Sequence, residues 1–229
     1  FCFVLICKSV NANEPFTFNV TEIEILENGN QINGFNGGTA TSEDGITISG
    51  EKFFFNKLTN ILEVNGNVKY LDISNDIIIT SDKAIYFKND EKVYTSGNSK
   101  AVNENNTITA SSLEYDKINN IFKAKKNAVA KDFEKETTIY ADEITYLKND
   151  EKVFTIGKTK ALIENKYEFN SENVSYYKNL GNLISQKKSS VVDDSGNIYK
   201  LKNFKYNIDK ELLKGKEVEV LAKVEGNKI

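Results

Sequence analysis

Histidine is absent from the 229 residues, which removes the commonest general base and the commonest metal ligand. Cysteine occurs only at Cys2 and Cys7, so the rest of the chain holds neither a disulfide framework nor a thiolate metal site. There is no tryptophan; Tyr and Phe supply all the aromatics. A single proline, Pro15, excludes collagen-like and linker-rich organisation. Arginine is missing as well, so all 30 basic residues are lysine, and 33 acidic residues bring the net charge to −3. The two signs are interspersed, leaving no basic stripe for nucleic acid. The chain is 39% hydrophobic, enough for a core but not for a membrane protein. No stretch sustains a 3.6-residue apolar period, so essentially no helix is expected.

What is there begins with "FCFVLICKSVNA", an apolar run with a small-residue ending before "NEPF". This reads as the C-terminal part of a signal peptide, residues 1–12, cleaved after Ala12 and lacking its basic start. Residues 13–229 are then the exported domain. A lipoprotein signal with Cys7 lipidated is a second reading, although Ile6 stands where a small residue is wanted. A buried terminal strand is the third.

The body of the chain repeats itself. "YFKNDEKVYTSGNSKA" (86–101) returns as "YLKNDEKVFTIGKTKA" (146–161). Shorter pieces reveal a finer period: "ISGEKFFF" from Ile48, "ITSDKAIY" from Ile79, "ITASSLEY" from Ile108 and "IYADEITY" from Ile139. "FNSENVSY" follows from Phe169 and "YKLKNFKY" from Tyr199, with successive starts 31, 29, 31, 30 and 30 residues apart. A weaker copy, "FNVTEIEI", starts at Phe18, making seven units.

Two inner positions recur in each unit: Ile23 and Ile25, Phe53 and Phe55, Ala84 and Tyr86, Leu113 and Tyr115. Ile144 and Tyr146, Val174 and Tyr176, and Phe204 and Tyr206 continue the series. Polar residues alternate with them, the mark of a strand with one wet face. Turn-formers such as "KNDEK" and "DKINN" follow. A second alternating strand comes next, for example Leu62, Val64, Gly66, Val68. Two strands per unit predict an all-β array of about fourteen antiparallel strands, which must roll or fold over itself to bury its apolar face. The second strands present small groups inward: Gly66, Ser99, Ala124, Ala128, Thr155 and Ser185. Two readings fit them, small-against-large packing in an ordinary filled core and a roomy apolar groove.

"FTFNVTEIEILENGN" (16–30), "FFFNKLTNILEVNGNVKYLD" (53–72) and "EYDKINNIFKAKKNAVAKD" (114–132) resemble the OstA-like (organic solvent tolerance) family of lipopolysaccharide transport. Within it they are most like the periplasmic N-terminal region of the outer-membrane lipopolysaccharide-assembly protein. The likeness spans about residues 16–225. It implies an open β-jellyroll, a V-shaped folded sheet whose groove carries lipopolysaccharide acyl chains, with no cofactor. The implied partners are lipopolysaccharide, other β-jellyroll proteins joined edge to edge, and an outer-membrane barrel with its lipoprotein plug. The implied place is the periplasm, attached to the outer membrane through a barrel that would follow. The groove would be lined by Ile23, Ile25, Phe53, Phe55, Leu62, Val64, Tyr86, Leu113, Tyr115, Ile144, Tyr146, Val174, Tyr176, Phe204 and Tyr206. Lys126 and Lys187 depart from the pattern, standing where other units have Gly66, Gly97 and Gly157; splaying, or a lysine aimed at a phosphate, is expected there.

A lipid conduit is therefore the expected function, with a soluble bridge protein of the same pathway as the alternative. A structural or adhesive β-repeat with a filled core is the competing class. Asp82, Asp142 and Glu172 recur one per unit, but solvated carboxylates on polar faces do not make the paired acid and base that glycoside hydrolysis needs. No enzyme is expected. "KNDEK" offers too few oxygens at the right spacing for calcium.

Overall fold

The computed structural model describes residues 15–223; the expected signal segment, with Cys2 and Cys7, lies outside them. The chain forms β1 (Thr17–Leu26), β2 (Gln31–Thr41), β3 (Ile46–Gly50), β4 (Lys52–Asn56), β5 (Ile61–Asp72), β6 (Ile77–Phe87), β7 (Lys92–Asn103) and β8 (Asn106–Asp116). β9 (Ile121–Asp132), β10 (Thr137–Leu147), β11 (Lys152–Ile163), β12 (Tyr167–Glu172), β13 (Ser175–Tyr177), β14 (Asn182–Val192), β15 (Ile198–Asn207) and β16 (Leu212–Leu221) complete it. These 16 segments make one antiparallel sheet in chain order. β3 with β4, and β12 with β13, are single strands interrupted midway, so the predicted fourteen strand positions are all present. Helical residues among those described are confined to three-residue 3₁₀ turns, such as Lys88–Asp90.

The strands follow from the alternation, and their bend follows from its one regular fault. In β6, buried residues fall at Ile77, Ile79 and Ser81, then resume at Ala84 and Tyr86. In β7 they fall at Val93 and Thr95, then at Ser99 and Ala101. The pairing register slips at the same level, between Thr80 and Lys83 and between Ser96 and Ser99. Each slip is a β-bulge, which bends a strand and returns the same face to the core. Gly97 (φ 75°) and Asn98 (φ 47°) turn this corner in β7, as Gly66 and Asn67 do in β5. Left-handed backbone suits glycine and tolerates asparagine.

Because the bulges lie side by side, the whole sheet folds along their line. The near half of each strand ends in the turns at Lys57, Lys88, Lys117, Lys148, Lys178 and Asp209; the far half ends in the opposite turns. Rings cross between the halves: Tyr70 of the far half meets Tyr86 and Tyr115 of the near half at 5.9 and 6.2 Å. Phe16 meets Phe55 at 5.3 Å, and Phe169 meets Phe204 at 5.4 Å. In a flat sheet Tyr115 of β8 would lie three strand positions from Tyr70 of β5, too far for such a contact, since each step between neighbours is about 4.8 Å. β1 and β16 do not pair with each other, so the sheet stays open at both edges.

The two lysine departures resolve differently. Lys126 keeps the left-handed corner (φ 64°) beside Asn127, despite its side chain. Lys187 does not; in its region Asn173 and Asn203 of the neighbouring strands take the positive φ instead.

Candidate functional site

The folded halves enclose one continuous apolar column. Phe53, Phe55, Leu62, Val64, Tyr86, Leu113, Tyr115, Ile144, Tyr146, Val174, Tyr176, Phe204 and Tyr206 all lie on its wall and are buried, most of them at 2% exposure or less. Ile23 and Ile25 share this inner face through their pairing with Gly34 and Ile32. They are nevertheless 49% and 63% exposed, because no strand lies beyond β1 to cover them. Val218 and Val220 of β16 are likewise exposed, at 54% each. The column is thus roofed along its length and uncovered at its two ends.

The small inward residues do not mark spare room. Thr95 and Ser99, Ala124 and Ala128, Thr155 and Thr159, and Ser185 and Ser189 flank the bulges and are buried. They sit inside the bend, where the two halves converge and only small groups fit. Their hydroxyls bond each other there: Thr95 with Ser99 at 2.9 Å, Thr155 with Thr159 at 2.6 Å, and Ser171 with Ser189 at 2.8 Å.

Opposite the bend, the near and far turns meet in a seam. Lys117 Nζ donates to Asp44 Oδ2, Lys148 Nζ to the Asn75 carbonyl and Lys178 Nζ to Asn106 Oδ1, while Lys135 Nζ donates to Asp209 Oδ1. These partners are 73, 73, 72 and 74 residues apart in the chain. The thirty-residue repeat gives a latch at four successive near turns at nearly constant offset, the near turn supplying the lysine in three and Asp209 in the fourth. The turn residues are visible in the sequence, but their partners are not, since the offset depends on how the twisted halves cross.

The latches differ in chemistry. At one end Asp44 takes both Lys88 (3.0 Å) and Lys117, and Lys117 also reaches Glu91 (3.2 Å). Burial alone would raise the Asp44 carboxyl, but hydrogen bonds from Lys117, Ser42 and Lys88 hold it well below the usual carboxylate range. Glu91 is lowered too, its desolvation outweighed by Lys88, Tyr86 and Lys117. At the other end Lys135 pairs with Asp209 at 2.7 Å, and Lys166 with Glu211 at 2.9 Å. In the middle, Lys148 meets only a backbone carbonyl. Lys178 bonds the Asn106 amide oxygen at 2.6 Å, with buried Asp132 at 3.5 Å.

Beneath this middle stretch two small gaps remain. One of about 20 Å³, room for about one water molecule, is bordered by Ile108, Ala130, Ile139, Tyr146, Val153 and Lys178. A second, of about 10 Å³, shares Ile108 and Tyr146 with it and extends to Ile77 and Ala101. Burial pushes the Tyr146 phenol up to about 12. Asp82, Asp142 and Glu172 are exposed, each beside its own bulge on the outer surface.

In comparisons with known proteins, the OstA-like protein family matches residues 17–129. No curated protein matches the chain. Among solved structures, LptH of Pseudomonas aeruginosa is similar. It is described as the LptA-homologous periplasmic component of the lipopolysaccharide transport device, and is 11% identical with a TM-score of 0.42, over 65% of this chain and 95% of that one.

Proposed function

We propose that this protein carries the acyl chains of lipopolysaccharide through its apolar column, in the periplasm, on their way to the outer membrane. Support comes from the family match and from one structural observation: a continuous apolar wall, repeated every thirty residues, that is uncovered at both ends. Sheltering a hydrocarbon chain gains about 0.8 kcal/mol per methylene. A repeated wall without a specific polar contact holds a chain equally well at every step, as transport requires. The exposed edges β1 and β16 fit strand addition to further β-jellyrolls, each contributing backbone hydrogen bonds. The finer reading is the N-terminal region of the outer-membrane assembly protein, whose barrel and lipoprotein plug would be partners; the soluble bridge protein is the alternative. The coding sequence past Ile229 separates them, since several hundred further residues of alternating strands would select the assembly protein.

The tight burial of Phe55 and its neighbours favours a second reading, a structural β-repeat with a permanently filled core. Photo-crosslinking residues at Phe55 and Tyr146, with outward Lys69 and Lys100 as controls, distinguish the two. Lipopolysaccharide adducts at the inner pair alone are expected. Their absence from a folded, lipopolysaccharide-exposed protein would leave the structural repeat.

A further inference from the structure

Interspersed along the chain, the charges separate on folding. On the outer face of the near half, lysines stand on carboxylates: Lys83 on Glu63, Lys92 on Asp116 and Lys123 on Glu114. On the outer face of the far half, beyond the bulges, the strands from β1 to β11 carry no carboxylate. Lys69, Lys100 and Lys131 stand there without an ion-pair partner among the described residues. They recur at the repeat spacing, two strands and so roughly 10 Å apart.

Beside the bulges this face is hollowed. Outward side chains of six strands form one row in register: Lys100 opposite Thr109, then Val129, Tyr140, Lys160 and Asn170. The five strand spacings make the row about 24 Å long. Two open depressions of about 600 and 620 Å³ follow it and meet at Asn127. The second is also lined by Lys158 and Lys188, neither in an ion pair among the described residues, and by the carboxylates of Asp142 and Glu172. Tyr140 is 39% exposed, so its ring is open to the trough.

We infer that this trough binds a linear, carboxylate-bearing polysaccharide, the glycan strand of the cell wall, laid across the strands. A polypeptide strand joins a sheet through unpaired edge groups, whereas the backbone here is already paired on both sides. A bilayer surface is flat and leaves a trough empty. A nucleic acid carries a phosphate at every residue, which Asp142 and Glu172 would repel. A glycan presents hydroxyls, which need acceptors as well as donors, and the two carboxylates with the Asn127 and Asn170 amides supply both. Tyr140 offers a sugar ring an apolar face with a polar tip. The lysines take the carboxylates of the chain by charge-assisted hydrogen bonds. Those carboxylates stand on alternate sugars, and one disaccharide is close in length to the two-strand step between lysines. The trough lies on the opposite side of the sheet from the apolar column, so the two can be filled together. The inference rests on the periplasmic placement proposed above and not on acyl carriage.

The test uses the full chain and fluorescent peptidoglycan glycan strands, freed of their stem peptides, with binding read by anisotropy. The unaltered protein should bind them. Lys158→Gln with Lys188→Gln should weaken binding about tenfold, and Tyr140→Ala about fivefold. Lys52→Gln with Lys125→Gln, on the outer face of the near half, should change it by less than about twofold. All these side chains are exposed, so an unchanged Tm should show that each variant is folded. Chitohexaose, which has no carboxylate, should lose affinity with Tyr140→Ala and not with the lysine pair. Absence of binding, or an equal loss in trough and control variants, would overturn the inference. So would an oligothymidylate bound as tightly, which would show unselective attraction of charge. Deacylated lipopolysaccharide bound as tightly would give the trough to another saccharide and overturn it too. Each of these failures leaves lipopolysaccharide adducts at Phe55 and Tyr146, and with them the acyl-carrier reading, untouched.

Discussion

The ends and the middle of the column are built from the same repeat, yet they are closed by different means. At the ends, aromatic rings from the two halves interlock: Phe16 and Phe18 against Phe53 and Phe55, Tyr167 and Phe169 against Phe204 and Tyr206. In the middle Tyr146 stacks only on Phe122 of its own half, at 6.3 Å, and faces aliphatic side chains across the fold. One backbone plan therefore supports both a segment locked by crossing rings and one packed by a ring on aliphatic side chains. The choice lies in a handful of inner side chains, and the bulges and turns do not change.

The largest expected effect comes from breaking the locked end. Phe204→Ala removes a fully buried ring from between Phe169 and its neighbours and should cost about 3–5 kcal/mol, a fall in Tm on the order of 10 °C for a domain of this size. The sharper comparison adds bulk. Ala40→Leu, in the packed end, should cost about 1–3 kcal/mol through overpacking. Ala130→Leu, beside a gap of about 20 Å³ that takes only part of the added side chain, should cost less than that in a urea melt. Equal penalties at the two sites would show the middle to be as tightly filled as the end.

The third effect is electrostatic. Asp44 and Glu91 are held below their ordinary values in the folded protein. Such groups contribute fully above their unfolded pKa of about 4, and the contribution is lost as pH falls from there towards their folded values. Asp44→Asn should lower Tm by about 2–4 °C at neutral pH, roughly 1 kcal/mol for a part-exposed cluster. It should also flatten the decline of Tm below pH 4. An unchanged acid slope would mean that this latch contributes nothing to the fold. The smallest effect is at the corner: Lys126→Gly relieves a left-handed lysine and should stabilise by up to about 1 kcal/mol.

Much of this was legible in the residues. Period-two alternation at thirty-residue spacing gave seven hairpins in order, and the inner positions from Phe53 to Tyr206 lie where the alternation puts them. The interruption of β3 and β4 at Glu51 was not legible, nor was the fold line, although Gly66, Gly97 and Gly157 marked it. A glycine in a strand tells of a bulge, but only the row of bulges across neighbouring strands tells of a fold. The small residues beside them left a filled core and a roomy groove both open; inside a bend, they mean crowding. Ile23 and Ile25 fit the inner pattern, but exposure at an edge depends on what lies beyond it, which no local pattern records. The latches escaped for the reason their partners lie some 73 residues away: a repeat fixes spacing along the chain, whereas the offset between two facing halves is a property of the twist.

The central claim is that the inner wall of the column receives acyl chains. Photo-crosslinking residues at Phe55 and Tyr146, in protein exposed to lipopolysaccharide, test it directly, with outward Lys69 and Lys100 as controls. Adducts at the inner pair alone are expected. Their absence from the folded protein would contradict the account.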